Sequence, residues 1–482
     1  MVTSVHDGVG FRSERGPILI ALMLATALVA IDGTIIATAV PTIVQDVGGA
    51  SAFPWLFSVY VLVQAVTVPV YSKLADTVGR KPMMIIGIGL FLLGSILCGA
   101  AWSMPSLIAF RVVQGLGAGA VLPMSITIAG DIYTIKERAK AQGYLASVWG
   151  IASIVGPTLG GVFSQFVSWR WIFYVNVPIC ILAAIMIIRA LKETIEPRKH
   201  RVDYLGASLI TVGMTLLILA VLEGGVAWAW DSPISVAAFA LGALFVVAFV
   251  FVERRAAEPI LPLWVFSRRL LASTSLVSLG VGAIVIGLSA YVPTYLEGSL
   301  GSPPLVAGLA LAALTLGWPL SASQAGRFYL RIGFRNTALI GLALAIIGSI
   351  SLASFADAPS LAVVAITCFI IGLGMGLIAV PTLIAAQSSV GWDQRAVVTG
   401  ANLFFRSLGS AVGVAIFGAI ANGLNTSSTG AVTSSANAVI QSSAAVFLAV
   451  AIVVVGTVVA ALAMPRSRVE TSSIPVTAPV TE

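Results

Sequence analysis

Apolar runs, each about 20 residues long and so able to cross a bilayer as a helix, alternate with short polar segments along almost the whole chain. Fourteen such runs can be counted, at residues 18–40, 55–74, 83–103, 106–128, 141–163, 171–190, 204–222, 234–252, 270–292, 304–323, 337–355, 361–383, 398–420 and 441–464. The pattern predicts an all-α polytopic membrane protein.

Composition agrees with this prediction. Of the 482 residues, 59% are hydrophobic and only 9% are charged, which is too few charges to cover the surface of a soluble protein. The three cysteines and two histidines show no metal or disulfide spacing, and the Gly-rich runs lack the lysine of a nucleotide-binding loop. We therefore expect neither an enzyme nor a cofactor or metal site.

The net charge of +7 is expected in cytoplasmic loops rather than on a nucleic-acid surface. If the chain starts inside and alternates, 23 of the 26 lysines and arginines fall on one side of the membrane. Arg170 falls on the other side, and Arg111 and Arg406 lie within apolar runs. Because basic residues concentrate in cytoplasmic loops, we expect a multi-pass plasma-membrane protein with both termini cytoplasmic.

An internal repeat divides the chain. Gly79, Gly115 and Gly156 match Gly333, Gly372 and Gly409 at offsets of 254, 257 and 253 residues. Transporters are often built from such repeats, with the substrate site between them near the midplane. The predicted organisation is a cytoplasmic N-terminus, an N-terminal six-helix bundle, a linker with two extra spans, a C-terminal six-helix bundle and a disordered cytoplasmic tail, at 1–17, 18–190, 191–269, 270–464 and 465–482.

Asp32 is the one charge in the first apolar run. A carboxylate near the middle of a membrane span is costly, so Asp32 is a candidate functional residue. The alternative is an aspartate that caps a kink at Gly33 or is paired with a cation without further role.

Arg111, in the fourth run, is expected to meet Asp32. At 1.5 Å per residue, Asp32 lies about 12 Å and Arg111 about 8 Å below the outer edge. A carboxylate facing an arginine keeps its charge, and it takes up a proton more readily once the two separate. Gln114, one turn below Arg111, indicates a polar face. The alternative is an arginine that extends to the outer interface.

The loop Ser72–Met84 reads SKLADTVGRKPMM. Asp76 ends one helix and is suited to face the N-terminus of another, Gly79 supplies a tight turn, and Arg80 and Lys81 anchor the next helix. The loop is predicted to be a conformational latch, with a simple topology anchor as the alternative.

This loop resembles the signature of the major facilitator superfamily, matched at Leu74, Ala75, Asp76, Gly79, Arg80 and Lys81. The fourth run resembles that superfamily's motif at Leu107, Arg111, Gln114, Gly115 and Gly117. The resemblance implies the major facilitator fold, two six-helix bundles plus two inserted spans, and associates Arg111 with proton coupling. Arg406, about eight residues into its span, and that span's N-terminus are hypothesised to receive Asp76 in the outward-facing state.

The fifth run resembles the antiporter signature of exporters that exchange substrate for protons. The matching residues, which would also let another helix approach closely, are Gly143, Gly156, Pro157, Gly160 and Gly161. The first run resembles the motif of the fourteen-span drug:proton antiporters at Asp32, Thr34, Ala39 and Pro41. Candidate cavity residues, with simple packing as the alternative, are Thr34, Gln64, Gln114, Trp149 and Asn176.

Together these features predict a proton-coupled exporter of lipophilic or amphiphilic small molecules, of the multidrug efflux type, that works by rocking of its halves. Its partners are expected to be the substrate, protons and membrane lipids, with no nucleic acid, and the protein is expected to be a monomer driven by the proton gradient. The alternatives are a dedicated exporter of an endogenous lipid, siderophore or metabolite, and a non-transporting receptor or scaffold.

Overall fold

The computed structural model describes residues 9–36, 39–48, 52, 55–193, 203–224, 228–256, 259, 262–425 and 436–466. Within these residues the regular elements are helices, apart from one isolated bridge between Gly224 and Trp228. The helices are α1 Gly16–Ile35, α2 Val40–Val47, α3 Trp55–Val78, α4 Arg80–Gly99, α5 Met104–Ile132, α6 Ile135–Phe166, α7 Trp171–Tyr174, α8 Asn176–Ala190, α9 Tyr204–Glu223, α10 Pro233–Glu253, α11 Trp264–Ser267, α12 Arg269–Leu300, α13 Pro304–Ile332, α14 Phe334–Ser354, α15 Leu361–Ser388, α16 Arg395–Asn425 and α17 Ala436–Leu462.

Within the described residues, thirteen helical segments are long and apolar enough to cross a membrane. Helices α7 and α8 together form one of these segments. The apolar part of α9, Leu205–Val221, is shorter. The all-helical membrane fold predicted from the sequence is confirmed.

The first predicted span, 18–40, is too long. Helix α1 ends at Ile35, and Val40 starts the separate short helix α2. Pro41 lies in the first turn of α2, where its missing N–H costs nothing, whereas inside α1 it would break a hydrogen bond. Asp32 is therefore one turn from the end of its helix.

Two helical bundles each have their own apolar core. In the first, Leu22, Phe91 and Met124 belong to one buried cluster. In the second, Ile284 and Phe447 belong to another. The first bundle consists of α1, α3 to α6 and α8, and the second of α12 to α17. Residues 1–8 and 467–482 lie outside the described residues, so the predicted N-terminal segment and tail remain largely untested.

The inserted helices cover one seam between the bundles. Helices α9 and α10 pack on each other, and α9 also contacts α3 and α16, which belong to different bundles. Ile210 and Met214 of α9 share a buried cluster with Leu62 of α3 and Phe404 of α16. The inserted helices therefore cover the seam between α3 and α16 at the periphery of the two bundles.

Two pairs of helices make the main contacts between the bundles, α3 with α16 and α6 with α13. Glycine allows the close approach: a Cβ at Gly143 of α6 would lie 2.9 Å from Cα of Ser323 on α13. A Cβ at Gly400 of α16 would overlap the side chain of Ser72 on α3. Both contacts lie toward the end of the bundles that carries most of the lysines and arginines, here named the basic end.

Candidate functional site

Asp32 and Arg111 form an ion pair inside the first bundle. Nη1 of Arg111 on α5 lies 2.6 Å from Oδ2 of Asp32 on α1, and the two side chains are 1% and 0% exposed. The structure thus brings together the two residues that the depth estimate placed at similar levels. Because Arg111 is buried, its side chain does not extend to the outer interface.

Gln114 completes the coordination of the carboxylate. Its Nε2 donates to Oδ1 of Asp32 at 2.8 Å and lies 2.9 Å from Oγ of Ser95, while its Oε1 accepts from Nη1 of Arg111 at 2.8 Å. A buried charge is tolerated only when it is paired and hydrogen-bonded. Both oxygens of Asp32 have such a partner, so this carboxyl group meets that condition in an apolar bundle.

Arg111 is also held by α3, a contact that the sequence analysis missed. Its Nε donates to the Leu56 carbonyl at 3.1 Å, and its guanidinium lies 4.0 Å from the centroid of the Tyr60 ring. A carbonyl or an aromatic ring for such a contact can come from any neighbouring helix, so sequence spacing gave no signal for either. Arg111 consequently links α1, α3 and α5.

Three of the predicted cavity residues do not line a cavity. Gln114 belongs to the buried network, and Asn176, 0% exposed, donates from Nδ2 to Oγ of Ser95 at 3.4 Å. Thr34 donates to the Ala152 carbonyl of α6 at 2.9 Å. Gln114 and Asn176 are thus enclosed by the bundle, and the hydroxyl of Thr34 is turned to a backbone carbonyl.

Trp149 and Gln64 remain candidates. Trp149 is 40% exposed, and Ile151, two residues further along α6, is 59% exposed. Two residues correspond to about 200° around a helix, so these two side chains leave α6 on opposite sides. Trp149 therefore has accessible surface on the side of α6 away from Ile151 and stays a candidate cavity residue. Gln64 on α3 is half-buried.

The glycines of α6 have different neighbours. Gly143 meets α13 of the other bundle, and a Cβ at Gly156 would overlap the hydroxyl of Thr34 on α1. Gly160 is buried, and Pro157 lies within α6 without ending it. Gly161 was predicted to be a packing residue, but a Cβ there would meet nothing within 4 Å. That assignment is wrong because Gly161 lies on an open side of the helix.

A second polar cluster joins the bundles at the basic end. Oδ2 of Asp76 accepts from the Val397 N–H at 2.8 Å, and Oδ1 accepts from the Ala396 N–H at 3.2 Å. These N–H groups belong to the first turn of α16, where they have no partner within the helix and carry partial positive charge. Gly79, at φ 112°, adopts the positive φ that lets the chain turn directly into α4.

Arg80 extends this cluster. Its Nη2 lies 2.6 Å from Oδ1 of Asp76 and its Nε lies 3.3 Å from Oδ2 of Asp131 on α5. Arg395 of α16 reaches the other oxygen of Asp131 at 2.5 Å. The sequence analysis did not single out Asp131 and Arg395. Their opposite charges, each at the basic end of an apolar helix, were the available signal.

Two residues of the predicted latch lie elsewhere. Arg406 is ten residues beyond Ala396 on α16, about 15 Å along the axis, so it does not receive Asp76. Nζ of Lys81 donates to the carbonyls of Ile188 and Leu191 at 2.8 and 2.7 Å, in its own bundle. Lysine there satisfies the free carbonyls at the end of α8.

Two packed helical bundles with a buried ion pair in one of them and a polar cluster across their seam define a polytopic membrane transporter. The chain belongs to the Major Facilitator Superfamily, which it matches over residues 22–414. This is a superfamily of transporters rather than enzymes.

Two relatives come from Bacillus subtilis (strain 168). Multidrug transporter protein MdtP is 35% identical over 414 residues, which cover 86% of this chain and 76% of that protein. Multidrug resistance protein 3 is 35% identical over 412 residues, which cover 85% and 80%.

Efflux pump dotC of Dothistroma septosporum (strain NZE10 / CBS 128990) is 32% identical over 407 residues, covering 82% and 70%. The crystal structure of the human organic anion transporter MFSD10 (TETRAN) superposes with a TM-score of 0.64 at 16% identity, covering 92% of this chain and 99% of that one. At that identity the likeness shows the fold alone.

Proposed function

We propose that this protein is a proton-coupled exporter of lipophilic or amphiphilic small molecules, an antiporter of the multidrug efflux type in the fourteen-span drug:proton antiporter branch. The observation that carries the proposal is the buried carboxylate of Asp32, held by Arg111 and Gln114. The substrate class is supported by relatives of the chain that are named as a multidrug transporter and an efflux pump. The apolar helix α9 supports the fourteen-span branch.

Asp32 is the proposed proton site and Arg111 its modulator. Protonation would remove the charge that binds Arg111 to α1, while the Leu56 carbonyl and the Tyr60 ring still hold Arg111 to α3. Breaking a buried ion pair by neutralising one partner costs about 3–5 kcal/mol, which is enough to bias a conformational equilibrium. Proton uptake would therefore loosen α1 within the first bundle.

The basic end is proposed to be cytoplasmic, since lysine and arginine concentrate on that side of membrane proteins. The bundles are joined there by Asp76, Arg80, Asp131 and Arg395. This arrangement fits an outward-facing state of the plasma-membrane protein, from which rocking of the halves would alternate access.

Everted membrane vesicles loaded with a proton gradient test the proposal. Addition of a transported amphiphilic dye should release protons from wild-type vesicles and not from Asp32→Asn vesicles. Asp46→Asn, which removes a carboxylate on the short helix α2, should behave as the wild type does. Proton release that survives Asp32→Asn would contradict the assignment of Asp32. No release across a broad panel of compounds would favour a dedicated exporter or a scaffold.

A further inference from the structure

Arg406 is a charged residue of the second bundle that has no counter-charge among the residues that the structure describes. Within the described residues its guanidinium forms no ion pair and no hydrogen bond. The residue is half-buried, and its nitrogens are not among the fully enclosed unpartnered atoms. The guanidinium therefore reaches open space, and the face of α16 on which Arg406 lies indicates which space that is.

The position of Arg406 on α16 excludes the lipid side. Asn402, Arg406 and Ser410 follow one another at four-residue spacing and so share one face. That face packs on α12, where Ser278 donates to Oδ1 of Asn402 at 2.9 Å and the Gly282 carbonyl accepts from Ser410 at 3.1 Å. An unpaired guanidinium in lipid would be very costly, whereas in a water-filled cavity it is tolerated.

The charges at membrane depth leave a positive excess. Asp32 and Arg111 neutralise each other at 2.6 Å, so within the described part of the chain Arg406 is left as an uncompensated positive charge. A cavity with one net positive charge and low-dielectric walls attracts anions and repels cations. Arginine is also the side chain best suited to bind a carboxylate through two parallel hydrogen bonds.

We propose that Arg406 is a substrate-recognition residue that binds the acidic group of the exported amphiphile, a carboxylate at one end of an apolar body. This inference rests on the proposed export function. In this proposal Trp149 of α6, which is 40% exposed, supplies an aromatic surface for the apolar part. The two halves would then divide the work, with the proton on Asp32 and the acidic group on Arg406.

Binding of a matched pair of probes to the purified full-length protein tests the inference without a proton gradient. The probes are dansyl-labelled undecanoic acid and its neutral primary amide, read by energy transfer from protein tryptophans, with empty micelles as the blank. The wild type should bind the acid at least tenfold more tightly than the amide, as expected for a charge-assisted pair. Arg406→Gln should abolish this preference, and Arg406→Lys should retain part of it.

Arg331→Gln is the matched control, because it removes the same charge from an exposed position at the end of α13. It should leave the preference for the acid unchanged. Equal affinity of the wild type for both probes, no binding of either, or a preference that survives Arg406→Gln would overturn the inference. If Arg406→Gln does not fold, the wild-type comparison still decides. Since binding needs no proton transport, failure of the export proposal would appear separately, in the Asp32→Asn vesicles.

Discussion

The guanidinium of Arg80 lies 3.5 Å from the centroid of the Trp392 ring, although the two residues belong to opposite bundles. Nη2 of Arg80 also donates to the Trp392 carbonyl at 2.5 Å. The segment before α16 thus covers the start of α4. Because each of these contacts crosses the seam, they can exist only while the basic end is closed.

Trp392→Leu should weaken closure of the basic end, because it removes the aromatic face and leaves the backbone carbonyl in place. The loss is expected to be about 0.5–2 kcal/mol, the range for a cation over an aromatic ring. Spin labels at the exposed positions Lys140 and Arg331 would report a larger population with separated basic ends. Trp392→Phe should shift this population less. Equal effects of Leu and Phe would contradict a contribution from the ring.

Asp76→Asn should open the basic end further and lower transport about tenfold while expression stays unchanged. The amide keeps one acceptor oxygen and loses the charge. One of the two hydrogen bonds from the N–H groups of α16 and the ion pair with Arg80 are therefore lost. Hydrogen bonds to charged groups contribute about 1.5–3 kcal/mol each. The same spin-label pair and a dye-efflux assay measure both effects. Asp393→Asn, at an exposed site nearby, is the control. Unchanged transport in Asp76→Asn would count against a latch.

Arg111→Gln should be more destabilising than the double substitution Asp32→Asn with Arg111→Gln. The single variant leaves a carboxylate that is 0% exposed without its counter-charge, at a cost of about 3–5 kcal/mol. The double variant keeps hydrogen-bonding groups in the same space and removes both charges. Thermal unfolding of the detergent-purified proteins measures the order. If the double variant unfolds at a lower temperature than Arg111→Gln does, the ion pair with Arg111 is not the main interaction that stabilises buried Asp32.

The apolar runs and their charge pattern were sufficient to predict the helical fold, and the rise per residue was sufficient to bring Asp32 to Arg111. The sequence pattern did not predict which way each side chain points around the axis of its helix. In a soluble protein a polar residue marks the outside, but here helices are apolar on nearly every face. Gln114 is therefore fully buried and Trp149 is 40% exposed, although the sequence pattern assigned both to a cavity.

The same limit explains the latch. Asp76 was predicted to meet an N-terminus, because a carboxylate and free N–H groups attract wherever they occur. Which cations join them depends on how the two bundles are aligned across the seam. Arg395 begins α16 and reaches Asp131, whereas Arg406 lies three turns deeper, and nothing local in the sequence distinguishes the two arginines.

The ion pair at the outer end of the first bundle should be insensitive to mild acid. Trp169 Nε1 donates to Asp46 at 2.9 Å and Arg170 does so at 2.6 Å. These bonds, that from Trp169 first, lower the pKa of Asp46 below its usual value of 3.8. A group with a lowered pKa contributes stability above its unfolded pKa, and loses it as the pH falls through its folded pKa.

The difference in unfolding temperature between the wild type and Asp46→Asn should therefore stay constant from neutral pH down to about pH 5. It should shrink only once the pH is below 3.8. Thermal scans monitored by tryptophan fluorescence measure this difference, since Trp169 is one of the partners. A difference that disappears between pH 7 and about pH 5 would show that Asp46 is not held in this way.

Gly156→Ala and Gly161→Ala form a matched pair on α6. At Gly156 the new methyl group would overlap the hydroxyl of Thr34 and lie 3.2 Å from the Ile35 nitrogen, whereas at Gly161 it would meet nothing within 4 Å. Overpacking of this kind costs about 1–3 kcal/mol. In an exposed helical position alanine is instead about 1 kcal/mol better than glycine. Gly156→Ala should thus lower the unfolding temperature and Gly161→Ala should leave it unchanged or raise it.

Measuring transport by the Gly156→Ala and Gly161→Ala variants distinguishes an effect on packing from an effect on function. Gly156 holds α1 against α6 one turn from Asp32, because the hydroxyl of Thr34 that it accommodates also donates to the Ala152 carbonyl at 2.9 Å. Displacing α1 would move the carboxylate away from Arg111, so Gly156→Ala should reduce proton-coupled dye efflux as well as stability. Efflux at the wild-type rate in a destabilised Gly156→Ala protein would mean that α1 can shift without disturbing the ion pair.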